Sequence, residues 1–192
     1  MKNSSASLLV LALMYCMAVA AAPTSSVLCI GCHGQDGNST ASQYPILAGQ
    51  GRNYLAKQLR DFKSGKRKEE HMTSMVEAIS KDDIPKLAAW FSQQKRNSTA
   101  KPANAKGQQI FQQGITAKNI AACSDCHGDD ARGNDAIGFP ALAGQHAEYV
   151  IVQLKAFRLK QRSNDNGMMQ SVTEQLSDAE IKSVAAYIES MK

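Results

Sequence analysis

An all-α chain built as two similar halves is what the sequence predicts, on three observations. Apolar residues recur at spacings of three and four, no persuasive alternating strand is present, and one ordered set of residues returns 95 to 97 positions later. Tyr44-Pro45-Ile46-Leu47-Ala48-Gly49-Gln50 matches Phe139-Pro140-Ala141-Leu142-Ala143-Gly144-Gln145, and Tyr54, Gln58, Leu59, Phe62 and Arg67 match Tyr149, Gln153, Leu154, Phe157 and Arg162. Met72, Ser74, Glu77, Ser80, Ile84 and Trp90 match Met169, Ser171, Glu174, Ser177, Ile181 and Tyr187. The repeat divides the chain into a unit at 21–96, a polar linker at 97–105 carrying Pro102, and a second unit at 106–192.

In the first unit, Tyr54, Leu55, Gln58, Leu59 and Phe62 fall on one helical stripe. A later helix buries Ile84, Leu87, Ala88 and Phe91 and starts near Asp82 or Asp83, because Pro85 belongs in a first turn. In the second unit the stripe returns from Tyr149 to Phe157. The last helix opens on Ser177 with Glu180 three residues on, a capping box, and buries Ile181, Val184, Ala185 and Ile188.

The composition, 43% hydrophobic and 20% charged over 192 residues, is that of ordinary globular material. Halves of under a hundred residues are marginal on a side-chain core alone, and such units commonly gain stability from disulfides, metals or a large apolar cofactor. Residues 1–20 read as a secretory leader: Lys2 is the positive start, Leu8 to Met17 the apolar run, and Ala18-Val19-Ala20 the cleavage site. The competing reading is a retained leader that associates with the membrane, although Leu8 to Ala22 is short for a span.

Cys16 leaves with the leader, so Cys29, Cys32, Cys123 and Cys126 remain. Cys29-Ile30-Gly31-Cys32-His33-Gly34 and Cys123-Ser124-Asp125-Cys126-His127-Gly128 both read C-x-x-C-H, the attachment signature of haem c. Two thiols three residues apart share one side of a helical turn, so both reach the vinyl groups along one porphyrin edge. The following histidine then places an imidazole beneath the iron, giving His33 and His127 as proximal ligands. A thioredoxin-like pair would need alternating strands and helices around it, a zinc site would need the two pairs to meet, and a disulfide would leave both histidines unexplained.

These motifs, the two P-x-L-A-G-Q segments with their Q-L-x-x-F helices, and Gly133-Asn134-Asp135 with Asn164-Asp165 resemble the cytochrome c4 family from Cys29 to the C-terminus. The resemblance implies two tandem cytochrome c-like domains, each wrapped around one covalent haem, in the bacterial periplasm. It also implies that a proline carbonyl fixes each proximal ring, a role that transfers to Pro45 and Pro140. Gly107, Ile110 and Phe111 resemble the family's N-terminal helix, which packs across the C-terminal one. The first unit departs from this pattern, since only Ala21 to Leu28 precede Cys29. Either that domain is trimmed and more open beside Trp90 and Phe91, or the leader is retained and fills the gap.

A methionine thioether is the usual sixth ligand of an electron-transfer haem, because a soft sulfur favours Fe(II). Met72 and Met169 are the candidates, since they alone hold the same place in both repeats, and the resemblance points to the same pair. Met75 and Met168 are competing sulfurs nearby, and His71 would give bis-histidine ligation. His146, opposite Gly51 in the repeat, reads as a surface or packing residue.

The first unit with the start of the linker, through Ala100, carries eleven Lys and Arg against seven Asp and Glu, while the second half has ten of each. Lys63, Lys66, Arg67 and Lys68 are the densest basic cluster, either a docking site for an acidic redox partner or a solvated helix end. Nucleic acid is a poor reading. The expected function is one-electron transfer without a small-molecule substrate or catalysis. The resemblance implies a cytochrome bc complex as donor and a membrane-bound terminal oxidase as acceptor. The rival is a haem enzyme such as a peroxidase, or the cytochrome subunit of a dehydrogenase, which would need one iron to lose its sixth ligand.

Overall fold

The computed structural model describes residues 21–97 and 101–192, so the leader, Cys16 and residues 98–100 of the expected linker lie outside the described residues. The first half holds α1 (Val27–His33), α2 (Arg52–Lys63), α3 (Glu70–Met75) and α4 (Asp83–Gln93). The second holds α5 (Ala105–Gln113), α6 (Ser124–His127), α7 (Ala147–Arg158), α8 (Met168–Thr173) and α9 (Asp178–Ser190). Helix α5 thus begins on the last residue of the expected linker. Two isolated bridges, Ile115 with Ile120 and Asn134 with Phe139, are the sheet-like pairings among the described residues.

In sequence order α1, α2, α3 and α4 correspond to α6, α7, α8 and α9. The anticipated stripes face inward: α2 packs on α4, and α7 packs on α8 and α9. The first core is built from Leu55, Phe62, Val76, Ile79, Ile84, Leu87 and Phe91, the second from Ile110, Phe111, Val150, Val184, Tyr187 and Ile188. Each such side chain contributes roughly 1.5–3 kcal/mol by leaving water. Helix α9 opens with the anticipated capping box, in which Ser177 and Glu180 satisfy each other's backbone N–H groups. Helix α4 starts at Asp83, with Ser80 Oγ accepting the Asp83 N–H at 3.1 Å.

Helix α5 crosses α9 so closely that a Cβ on Gly107 would lie 2.0 Å from the Ser183 carbonyl oxygen. The first half has no such crossing among its described residues. A short 3₁₀ turn at Thr24–Ser26 runs straight into α1 and touches α4. Among the described residues a cleft of about 250 Å³ beside Trp90 is lined by Ala21, Pro23, Lys86, Ala89, Trp90 and Gln93, and the leader that was the alternative filling lies outside the described residues. Phe91, expected beside the opening, is instead 3% exposed within the core, against which its half-buried neighbour Trp90 also packs.

The halves meet along a polar seam. Arg96 donates to the Ala48 carbonyl at 2.9 Å and the Ala143 carbonyl at 2.6 Å, which are equivalent positions of the repeat. Asp135 of the second half accepts the Asn53 and Tyr54 N–H groups at 3.0 and 3.1 Å, capping the first half's α2. His146 bonds the Ser39 hydroxyl at 3.0 Å and the Ser39 carbonyl at 2.9 Å, both through Nε2. That histidine is therefore part of the domain interface, not a surface residue, because the Ser39 loop of the other half covers it. Among the described residues no helix is long and apolar enough to cross a membrane.

Candidate functional site

Each C-x-x-C-H segment ends a short helix, and the following glycine makes that ending possible. Gly34 (φ 80°, ψ 158°) and Gly128 (φ 79°, ψ 155°) turn the chain away in a conformation essentially reserved for glycine. A Cβ on Gly34 would also meet the Asn38 carbonyl oxygen at 2.7 Å. The imidazole of His33 or His127 is thereby left at the helix end, where both side chains are buried.

Both rings are fixed in the same way. His33 Nδ1 donates to the Pro45 carbonyl at 2.9 Å, and His127 Nδ1 donates to the Pro140 carbonyl at 3.0 Å. Burial pushes both imidazoles below their ordinary pKa, against the opposing effect of the proline bonds, so the rings are neutral. A neutral ring whose Nδ1 is occupied presents Nε2 as its free lone pair, the state a metal ligand requires.

A cleft of about 1170 Å³ runs between the halves, and Cys29, Cys32, His33, Met72, Cys123, Cys126, His127 and Met169 all line it. The structure therefore brings every expected site residue to one continuous space. The four thiols are free, with Cys29 and Cys123 half-buried and Cys32 and Cys126 exposed. Burial pushes the Cys29 thiol up to about 11 and the Cys123 thiol up to about 12, which opposes a thiolate redox pair. No cluster of three or more metal-binding His, Cys, Asp or Glu side chains forms among the described residues, so the two pairs do not meet as a zinc site.

Met72 and Met169 are half-buried on α3 and α8. Each helix is held by a carboxylate that accepts the methionine's own N–H: Glu69 Oε2 at 2.8 Å from Met72 N and Asp165 Oδ2 at 2.6 Å from Met169 N. The competitors point more toward solvent. Met75 and Met168 are 39% and 52% exposed, and the exposed His71 ring pairs with Glu69 at 3.1 Å.

Three features of the cleft fit haem. Its volume exceeds the ~300–1,000 Å³ usual for one small-molecule site. Five large exposed apolar side chains, Leu28, Met75, Ile137, Val152 and Met168, lie on its walls, as a broad apolar plate requires. Two buried guanidiniums also line it, and their hydrogen-bond partners are all neutral. Arg67 reaches Gln58 at 2.9 Å and, across the seam, Tyr149 at 3.0 Å and Gln153 at 2.9 Å. Arg162 reaches Gln153 at 2.6 Å and Asn164 at 3.0 Å, and crosses to Tyr54 at 3.0 Å and Gln58 at 3.2 Å. Each also stacks on the phenyl ring of its own half, Phe62 at 4.6 Å and Phe157 at 4.5 Å. Buried positive charge without a carboxylate bond suits the propionate edge of a haem.

This use of Arg67 revises the basic cluster. Arg67 is buried in the seam, and Lys63 donates to the Val76, Glu77 and Ile79 carbonyls at 3.0, 3.3 and 2.7 Å. Only Lys66 and Lys68 of the four are left to face a partner. Sequence reasoning saw the matched Tyr, Gln and Arg residues as parts of helices. It did not see that they bond across the seam, although their repetition at polar positions on an otherwise apolar stripe was a signal.

A family model described as Cytochrome c matches residues 104–192. Cytochrome c4 of Pseudomonas aeruginosa is 40% identical over 176 residues, spanning 90% of this chain and 88% of that protein. A protein of Thiomonas intermedia named thiosulfate dehydrogenase electron acceptor is 38% identical over 178 residues, spanning 88% of this chain and 81% of its own length. Among solved structures, reduced recombinant cytochrome c4 from Pseudomonas stutzeri superposes with a TM-score of 0.83 at 38% identity, covering 87% of this chain and 95% of that one.

Proposed function

The chain belongs to the cytochrome c4 family of di-haem electron carriers, and from that premise we propose that it works as a periplasmic one-electron carrier in a respiratory chain. Two covalent haem c groups are its cofactors. Cys29 with Cys32, and Cys123 with Cys126, are the proposed thioether tethers. His33 and Met72 would ligate the haem iron in the first half, His127 and Met169 in the second. When bound, each haem supplies an iron that exchanges one electron between Fe(III) and Fe(II).

The chain's own residues bind, orient and shield. Pro45 and Pro140 hold the imidazoles at fixed tilt and raise their basicity through the bonds to Nδ1. Glu69 and Asp165 hold the short helices that carry the sulfurs. The apolar cores behind them exclude water, and a thioether ligand would favour the reduced iron. Arg67 and Arg162 keep positive charge on the cleft, where it would suit haem propionates.

The observation that carries this reading is the pairing, in both halves, of a buried proline-bonded imidazole with a half-buried methionine on one cleft. Redox titration of the purified holoprotein, followed by optical and magnetic circular dichroism, tests it. Two low-spin haems with sulfur-to-iron charge-transfer bands are expected, and Met72→Ala should remove that band from one haem and lower its potential. An unchanged first haem in that variant would refute the ligand assignment.

The leader at 1–20 supports export, and the family resemblance supports a cytochrome bc complex as donor and a membrane-bound terminal oxidase as acceptor. A second donor class, a thiosulfate-oxidising dehydrogenase, is favoured by the Thiomonas intermedia relative named as the electron acceptor of such an enzyme. Reduction of the oxidised holoprotein by quinol with bc complex, compared with reduction by thiosulfate and its dehydrogenase, separates the two.

A further inference from the structure

The amide of Ile46 and the carbonyl of Pro45 are two ends of one peptide unit, and so are the amide of Ala141 and the carbonyl of Pro140. A glutamine from the opposite half grips each unit. Ile46 N–H donates to Gln145 Oε1 at 2.8 Å, and Gln145 Nε2 donates to the Ile46 carbonyl at 2.9 Å. Reciprocally, Ala141 N–H donates to Gln50 Oε1 at 2.8 Å, and Gln50 Nε2 donates to the Ala141 carbonyl at 2.9 Å. Each amide oxygen also takes the N–H of the next residue in its own chain segment, Gly51 at 2.8 Å and His146 at 3.1 Å. Both side chains are almost fully enclosed, Gln50 at 6% and Gln145 at 4% exposure.

We infer that Gln50 and Gln145 are positioning residues acting across the domain seam: each sets the proximal histidine of the other half's haem. The inference rests on His33 and His127 being iron ligands. Its physical basis is the planarity of the peptide bond, which transmits a constraint on the N–H to the carbonyl on the same plane. Gln145 therefore aims the Pro45 oxygen that receives His33 Nδ1–H, and Gln50 aims the Pro140 oxygen that receives His127 Nδ1–H.

The bonds also lie in series, imidazole N–H to carbonyl and amide N–H to glutamine oxygen, so each polarises the next. The grip makes the proline carbonyl a stronger acceptor and the imidazole more electron-rich, which favours Fe(III). Releasing the grip therefore raises the potential of the haem in the opposite half.

Gln145→Met and Gln50→Met keep bulk and remove both bonds, and each serves as the other's control. In the reduced ¹⁵N-histidine holoprotein, Gln145→Met should speed exchange of the His33 ring N–H by roughly tenfold, the combined effect of two bonds of ordinary net worth. The first haem's potential should rise while His127 and the second haem stay unchanged. Gln50→Met should do the reverse. Gln145→Glu, which retains an oxygen for the Ile46 N–H, should recover part of the His33 protection. Effects confined to the haem of the substituted residue's own half, or equal at both haems, or absent, would overturn the inference and leave the ligand assignment standing. If the unsubstituted holoprotein lacked haem-shifted ring signals from His33 and His127, the ligand assignment would fall and the inference with it.

Discussion

The two halves differ most at the back of their haem walls. In the second, α5 lies across α9, placing Phe111 at 0% and Ile110 at 1% exposure and fitting Gly107 against the Ser183 backbone. In the first, among the described residues, the Thr24–Ser26 turn is what packs on α4 besides α2, and Trp90 borders a cleft with its indole N–H buried and without a partner among those residues. The first half gains support from elsewhere. Its α2 is capped by Asp135 of the second half, and its Ser39 loop is held by His146. The lesson is that elements of one repeated unit take restraint from its neighbour, across the seam as well as from within.

The largest expected effect comes from attacking α5, which among the described residues has no counterpart in the first half. Phe111→Ala should cost about 3–5 kcal/mol, the range for emptying a fully buried aromatic site. Trp90→Ala at the equivalent back wall of the first half should cost clearly less, since that side chain already borders open space. Urea unfolding of the holoprotein, with hydrogen exchange reporting each half, checks the contrast. Equal losses would mean that the α5 crossing is not what distinguishes the halves.

A smaller loss, on the order of 1–3 kcal/mol, is expected from Arg162→Met, which strands the Tyr54 hydroxyl it bonds across the seam. Arg67→Met should match it, because Arg67 makes the mirrored contacts with Tyr149 and Gln153. Thermal melting of both variants sharpens the comparison: unequal effects would show that the seam is less symmetric than its bonds.

Asp135→Ala should cost roughly 1 kcal/mol through loss of a helix cap, with the signature that protection falls in α2 of the first half, not beside the substitution. Amide exchange at Asn53 and Tyr54 measures it. If only second-half amides respond, the support across the seam is refuted.

The smallest effect is acid sensitivity at the start of α9. Hydrogen bonds from Lys155 and Arg158 hold Asp178 at about 2 instead of 3.8, and those from Lys118 and Ser177 hold Glu180 at about 2 instead of 4.5. Depressed carboxyls stabilise the fold above their unfolded values and lose that contribution as pH falls toward their folded ones. Both groups are close to solvent, so the change is modest. Between pH 4.5 and 2, contacts at the start of α9 should loosen, and Glu180→Gln should flatten that response. In the first half Asp83 is lowered by Ser80 and Lys86 of its own segment, so acid should not loosen α4 from its neighbours in the same way. Circular dichroism and amide exchange across this window follow both.

How much of this was legible beforehand depends on the range of the interactions. The C-x-x-C-H-G pairs, the capping box on Ser177 and the stripes on α2 and α7 are local patterns, and they appear where spacing put them. The proline contacts came from the family likeness, and the structure forms both. His146 was read as a surface or packing residue, and it packs; its partner Ser39 was not legible because it lies 107 residues away, with no periodicity linking the two. Lys63 was misjudged because its charge hid a structural task, closing the carbonyls of the turn after α3.

By itself the sequence determined the helical class, the two-fold repeat and the two haem c attachment signatures, since each is read from spacing along the chain. The tertiary structure alone decided which polar residues of the repeat would face each other: Gln50 with Ala141, Gln145 with Ile46, Arg67 with Tyr149, Arg162 with Tyr54. The reason is geometric. Helical spacing specifies which side chains share a face, but only the docking of one folded half on the other brings two such faces within hydrogen-bonding distance.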